Sequence, residues 1–559
     1  MKITQSMRLF GVVASITALS AALAGCSAQA ASTPIKHRTA AQQGDKPVYG
    51  GTLQLDVAGA FPHLDPAKAY DTTSYEAVLQ MYDQLVTYKG ATNHLIPDLA
   101  SNYTVSKNGL VYTFNLKKAK FWNGTPVTAN SFITEFERVL SSKVSSLGSG
   151  FINPLVVGSA QYAAGHAKTI SGIKSLNGGK TLQITLTQPS PTFLYVMAMP
   201  FFSAVDPAYI ASHSISYVDY HPMGTGAFEL ASYVPNQQWT FTKNPHYFKP
   251  GVPYLNKIVF TNNSSPEAVR LHFQQGLTGL IGYNQGGNGI PSQDYLMFTT
   301  SPTLKKDIFT QVMVATNYIG LNTKYGPTAK VGVRRALEYA VNKQELLRIL
   351  DGRAVIANQP IPVSMPSAYE KKLPANATYS FNPTLAKKLL AQAGYPHGFS
   401  TTIYTDNSAP DDLRVAQAVQ QMFANVGVKA TVDQKTWGTF LQNNEAGKQN
   451  IFTLAWVEDF PDPSDFLNTL FNSNQIPTNN STDFSNKQVD ALLNKGATMP
   501  NGPARDALYK KAQNIIMSQA VWIPYAYPTF TAAVQPWVKG YYVNPNLVDP
   551  LQAIWITKH

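Results

Sequence analysis

Leu53, Leu55 and Val57 alternate with Thr52, Gln54 and Asp56, a two-residue period that gives a strand one apolar face. The same period recurs over 111–116 and 182–186, and strand-like segments follow at 239–243 and 258–261. Between them the spacing lengthens to that of amphipathic helices over 75–88 and 128–140, where Thr128 is placed to cap the second. A long helical pattern over 329–350 carries Val333, Leu337, Tyr339, Ala340, Val341, Leu346 and Leu347 on its apolar positions. Helices are then predicted over 383–393, 411–426 and 437–445, and strands over 401–404, 428–432 and 451–456. Strand-like sequence returns at 529–534 and 552–556. Helices and strands interleave throughout, so the pattern predicts a mixed α/β body.

The N-terminus departs from this pattern. Lys2 and Arg8 precede an Ala/Val/Leu-rich run over 9–23 that is too short for a membrane span. The run ends in Leu23-Ala24-Gly25-Cys26, which holds the only cysteine of the chain. This resembles the lipobox of bacterial lipoproteins. The resemblance implies that 1–25 is a signal peptide, that Cys26 is acylated and becomes the first mature residue, and that the protein is anchored at the extracytoplasmic face of the cell membrane. Two acyl chains suffice for stable anchoring where one does not. Residues 27–46 are mostly Ala, Ser, Thr, Gln and Lys with almost no large apolar side chain, and 26–47 reads as a flexible tether.

The remaining roughly 510 residues exceed one hydrophobic core and predict several domains. No second long apolar run follows. With Cys26 lipidated, neither disulfides nor thiolate metal ligands remain. The formal charge is +12, yet only 14% of residues are charged and no block of like charges or basic, aromatic-interleaved stripe stands out, which argues against nucleic-acid binding.

Motifs in a fixed order carry a wider resemblance. Tyr82-Asp83-Gln84-Leu85-Val86, Pro97-Asp98-Leu99-Ala100, Phe121-Trp122-Asn123-Gly124-Thr125-Pro126-Val127-Thr128-Ala129-Asn130, Gly224-Thr225-Gly226-Ala227-Phe228, Asn244-Pro245-His246-Tyr247-Phe248 and Val331-Gly332-Val333-Arg334-Arg335-Ala336-Leu337 follow one another. Together they resemble the extracytoplasmic solute-binding proteins of peptide ABC importers, family 5. Several of these motifs also have a scaffold reading: Asn123-Gly124 as a turn, Gly224-Thr225-Gly226 as a positive φ or a close backbone approach, the arginine pair as a surface or interdomain contact. The resemblance implies a two-lobed periplasmic-binding-protein-like α/β fold, type II and of the large cluster C type. Lobe 1 would span 48–314 with an inserted subdomain at about 90–200, lobe 2 would span 315–520, and 521–559 would return to lobe 1.

For the site, Trp456-Val457-Glu458-Asp459-Phe460-Pro461-Asp462-Pro463 matters most. Spacing alone reads Asp459, Asp462 and Asp465 as turn and helix-cap residues. The resemblance instead assigns Asp459 to the α-ammonium group of a bound peptide and leaves Asp462 and Asp465 structural. It also implies that Tyr70 and Thr72 touch the start of the ligand, that Trp437 walls a side-chain pocket, and that the strand bearing Trp456 and Val457 pairs with ligand backbone. Trp437 reads equally well as core. The family's arginines between the tryptophan motif and W-x-x-D are missing, since 442–454 holds Lys448 and no arginine.

No G-x-S-x-G, H-E-x-x-H or C-x-x-C occurs, and no two histidines stand four apart on a helical segment. The expected function is therefore a non-enzymatic, lipid-anchored receptor, monomeric and without cofactor or metal. It would capture extracellular oligopeptides and pass them to an ABC permease and its ATPase subunits. The alternatives are the same fold carrying an oligosaccharide or a metal chelate, or a secreted hydrolase.

Overall fold

A computed structural model describes residues 46–57, 61–263, 265–283, 289–476, 479–546 and 551–557. The leader, Cys26 and the tether through residue 45 lie outside the described residues. The fold is two-lobed and α/β, built on three larger sheets. The first pairs Thr52–Val57 in parallel with Lys257–Asn262, which continues antiparallel to Gln238–Lys243 and Phe228–Val234. The period-two pattern explains its packing, because Leu53, Leu55 and Val57 all point into one core with Trp239, Phe241 and Phe260.

The second sheet joins Ala100–Val105, Val111–Leu116, Thr181–Thr185 and Ile173–Leu176 in an antiparallel order. Its inward residues Tyr112, Phe114, Leu182 and Ile184 meet the helix Ala129–Leu140, which buries Phe132, Phe136 and Val139 at i, i+4 and i+7. Thr128 caps that helix reciprocally with Ser131.

The third sheet connects the cores. Ala315–Leu321 lies between Ile451–Val457 and the thirteen-residue strand Trp522–Val534. Trp522–Val534 begins well before the 529–534 expected from sequence, and it serves more than one core. Ile523 and Tyr525 pack with Ile319, Leu337 and Val419, whereas Phe530 and Ala532 pack with Leu53, Trp239 and Phe260. Its second half also pairs with Ile308–Val312 and Leu280–Ile281. Every residue of the strand is buried, so no alternation is visible in its sequence and its true start is hidden.

Other boundaries shift for local reasons. The helix expected over 75–88 is Thr72–Met81, and Val86–Tyr88 instead pairs with Leu95–Pro97. Its end is set by the glycines downstream. Gly226 N–H donates to the Met81 carbonyl at 2.8 Å, and a Cβ on Gly224 would stand 1.8 Å from that oxygen. The helix expected over 329–350 is two, Val331–Ala340 and Lys343–Ile349, because the Asn342 side chain caps the second by accepting from Glu345 N–H. At the end, residues 551–553 form a single tight turn and only Trp555–Ile556 is strand.

Candidate functional site

The strand Ile451–Val457 has one satisfied edge and one mostly open edge. Ala315–Leu321 pairs with it along its whole length. On the other side, Ser400–Asp406 pairs with it only at Ile403↔Ile451 and Tyr404↔Phe452 among the described residues, then stays with Lys429–Lys435. The backbone of 453–457 is thus left without a neighbouring strand on that side. Ala455 and Val457 are exposed while Leu454 and Trp456 are half-buried, as a half-covered strand requires.

Those two exposed residues lead from one cavity to another. Ala455 lines a cavity of about 330 Å³ with Asn317, Arg353, Asp411, Asp412 and Pro528. Val457 to Phe460 line a smaller one of about 80 Å³, closed by Tyr70, Tyr75, Tyr88, Met199 and Asn546. A larger cavity of about 650 Å³, bordered by Lys343, Gln359 and Glu370, shares no lining residue with either.

The loop after Val457 is pinned by its aspartates. Asp462 caps the helix Pro463–Phe471 and takes a fork-to-fork pair from Arg505, with nitrogen to oxygen distances of 2.8 and 2.7 Å. Asp465 accepts from Trp456 Nε1 at 2.9 Å and from Asp459 N–H at 3.1 Å. These anchors fix the backbone of Asp459, whose carboxylate accepts a 2.7 Å hydrogen bond from the Tyr70 hydroxyl.

Three carboxylates converge here without a counter-ion. Burial raises Asp459 above the usual carboxylate range, opposed by the Tyr70 hydrogen bond. Burial pushes Glu458 well above it; the residue's own backbone N–H opposes this, and the charges of Asp465 and Asp459 add to it. Asp465 is likewise driven up, first by burial and then by Asp459. Among the described residues, Glu458, Asp459 and Asp465 form no ion pair with Lys, Arg or His, whereas Asp462 is paired with Arg505. Uncompensated, closely spaced acids in a half-dry pocket favour a cationic guest.

Of the residues singled out from sequence, Tyr70, Val457 and Asp459 meet around this pocket. Trp456 is adjacent but turns its indole N–H to Asp465 and packs in the core with Phe452 and Phe466. Trp437 opens the helix Trp437–Glu445, is 49% exposed and stacks on Phe440 at 5.9 Å, outside both cavities. Thr72 is the first residue of the helix Thr72–Met81, and its side chain is not described. Tyr75, Tyr88, Met199 and Asn546 were not anticipated, because they come from distant segments with no local motif. Glu458 lay inside the recognised motif and could have been flagged as an acid without a cap or turn role.

Arg353 and Asp412 were also missed. Arg353 is 6% exposed and pairs with Asp411 at 2.7 Å. Asp412, in the same cavity, is raised to about 6 by burial and by its neighbours Asp411 and Asp406. The arginine pair on Val331–Ala340 has a different task. Arg334 is buried and donates to the carbonyls of Gln519, Thr328 and Ala329, and Arg335 donates to that of Ser518. Together they satisfy carbonyls at the C-terminus of the helix Pro503–Ser518. Asp65 pairs with Arg138 and does not line the cavity around Asp459. No helix among the described residues is long and apolar enough to cross a membrane.

Comparison with known proteins adds the following. Residues 94–478 match the family described as bacterial extracellular solute-binding proteins, family 5 Middle. The chain is 29% identical over 537 residues to "Heme-binding protein A" of Haemophilus influenzae, covering 93% of this chain and 94% of that protein. It is 28% identical over 507 residues to "Glutathione-binding protein GsiB" of Escherichia coli, covering 88% and 91%. Among solved structures, the periplasmic binding protein DppA of Helicobacter pylori in complex with the peptide STSA superposes with a TM-score of 0.73 at 26% identity, covering 91% of this chain and 99% of that one.

Proposed function

Because this chain belongs to the bacterial extracellular solute-binding proteins of family 5, we propose that it captures oligopeptides in the cleft along Ile451–Val457 and delivers them to an ABC permease. Proteins of this family are extracytoplasmic and serve ABC importers, taking peptides or related ligands. Its relatives are solute-binding proteins rather than enzymes. One observation carries the peptide reading: Asp459, a carboxylate without a basic partner among the described residues, stands at the end of a strand edge that the described strands leave mostly unpaired. An extended peptide fits both features. Its N–H and C=O groups complete the edge whatever its side chains are, and its α-ammonium meets Asp459.

The lobes divide, in this reading, into 48–314 with 521–559 and into 315–520, with a subdomain at about 90–200. The strands Ala315–Leu321 and Trp522–Val534, which contribute to more than one core, support crossovers near these boundaries. Ligand contacts to both sides shift the population toward the closed form, whose composite surface the permease recognises. The leader and Leu23-Ala24-Gly25-Cys26 support lipid anchoring at Cys26. Replacing Cys26 by Ala should move the protein from the membrane to the soluble fraction.

The decisive experiment is calorimetry with one tripeptide as the free amine and as its N-acetyl form. Acetylation should weaken binding by about thirtyfold to several thousandfold, the loss of ~2 to 5 kcal/mol expected when one member of a desolvated charge pair is removed. Equal affinities would sink the peptide reading. Haem or glutathione binding more tightly than any peptide would replace it with the cargo named for the relatives.

A further inference from the structure

The pocket beside Asp459 is lined by two further residues that each carry a buried oxygen without a hydrogen-bond partner among the described residues. Glu458 Oε2 is sealed from solvent and has no hydrogen-bond partner among the described residues, and the same is true of Asn546 Oδ1. Both residues line the 80 Å³ cavity. The orientation of the Asn546 amide is set from behind, since its Nδ2 donates at 3.1 Å to both Asn93 Oδ1 and Asn544 Oδ1. Its carbonyl oxygen is therefore the atom left over. Two sealed oxygens without partners on residues that line one cavity are costly, and an ammonium group entering from outside answers both and favours the ionised form of Glu458 against the burial that raises it.

The walls specify what kind of donor. Tyr70, Tyr75 and Tyr88 surround the cavity with Met199 and Phe460, a lining that suits an alkyl stem and the face-on approach of a cation. The charge of Glu458 reaches the phenols of Tyr75 and Tyr88, adding to the effect of burial, which comes first in both. Those hydroxyls therefore stay protonated and remain donors. A volume of about 80 Å³ takes an ammonium head with its last methylenes, given that a water occupies roughly 30 Å³ in the liquid.

We propose that this cavity is a subsite for a basic side chain: the first residue of the ligand is lysine, with its α-ammonium on Asp459 and its side-chain ammonium between Glu458 and Asn546. The assignment rests on the peptide reading above and names the ligand class within it. A neutral first residue of the same length leaves Glu458 and Asn546 without donors, so selection comes from the cost of unanswered acceptors as well as from attraction.

The test compares Lys-Ala-Ala, norleucine-Ala-Ala and N-acetyl-Lys-Ala-Ala by calorimetry on the full protein, on Glu458→Gln and on Asn546→Ala. In the wild type, Lys-Ala-Ala should bind about 10 to 100 times more tightly than the norleucine peptide, as for a charge-assisted hydrogen bond. Glu458→Gln should reduce that ratio to within about twofold while keeping the penalty for N-acetylation. Asn546→Ala should lower the ratio severalfold. Equal binding of the lysine and norleucine peptides by the wild type overturns the proposal without using any variant. An unchanged ratio in Glu458→Gln overturns it as well. If N-acetylation has no effect in the wild type, the underlying peptide reading fails instead, whatever the ratio.

Discussion

The Tyr70 hydroxyl donates a 2.7 Å hydrogen bond to Asp459 Oδ1 across 389 positions of sequence. Tyr70 stands just before the helix Thr72–Met81, whose Ala77, Val78 and Met81 pack in the core with Thr52–Val57; Asp459 follows the strand Ile451–Val457. One bond thus ties these two segments together at the residue proposed to meet the ligand. A phenol donating to a carboxylate favours the ionised form, so Tyr70 opposes the burial that raises Asp459.

Tyr70→Phe should weaken binding of a free-amine peptide by about 10 to 100-fold, corresponding to ~1.5 to 3 kcal/mol for a hydrogen bond to a charged group. N-acetyl peptide affinity should hardly move, because that ligand does not use the charge. Calorimetry on both ligands checks the difference; equal losses would show that Tyr70 only shapes the wall.

Binding should also depend on pH in a stated direction. Burial raises Asp459, and only its ionised form attracts an ammonium group. Affinity should be greatest near neutral pH, fall above about pH 8 as the peptide's own α-ammonium loses its proton, and fall on acidification through the raised pKa of Asp459, at a higher pH than an ordinary aspartate near 3.9 would give. Asp459→Asn should lower affinity throughout and flatten the acid side of this profile. A profile whose acid side starts to fall only below pH 4 would contradict the burial of the charge.

Much of this arrangement could be read from residues in sequence, for identifiable reasons. The strand Ile451–Val457, the capped helix after Thr128 and the aspartate-rich loop carry local signals: a short apolar run, an N-cap threonine, and Pro-flanked acids. The close approach of Gly224 and Gly226 to Met81 was legible as glycine, though not its partner. Tyr75, Tyr88, Met199 and Asn546 were silent, because what brings them together is the packing of distant segments. The start of Trp522–Val534 was silent for another reason, since full burial erases alternation.

Glu338 links stability to pH. It is 1% exposed, neither carboxylate oxygen has a hydrogen-bond partner among the described residues, and Lys343 Nζ stands 3.5 Å away. Burial raises it to about 7, with Lys343 opposing. The folded protein then holds this proton more tightly than the unfolded chain, so the stability it contributes is complete below about pH 4.5 and is lost as pH rises through about 7. Glu338→Gln should be close to neutral at pH 4.5 and should stabilise the protein at pH 8 by up to about 3 kcal/mol. Urea unfolding at the two pH values measures this; destabilisation at pH 8 would mean that the Lys343 pair outweighs the buried charge.

Arg138 offers the opposite case, a buried cation whose loss leaves acids exposed to each other. It pairs with Asp65 and, at 2.6 Å, with Glu135, and both acids are fully buried. Burial lifts Glu135 to about 8, opposed by Arg138 and reinforced by Asp65. At neutral pH Glu135 therefore carries its proton, and Arg138 and Asp65 form the charged pair. Arg138→Met keeps the length of the side chain but removes the cation, leaving Asp65 buried without compensation. Breaking such a pair from one side costs about 3 to 5 kcal/mol. Urea unfolding near neutral pH measures the loss. Arg138→Met combined with Asp65→Asn should recover much of the stability. If the double variant is no more stable than the single one, the cost is one of packing and the charge pair contributes little.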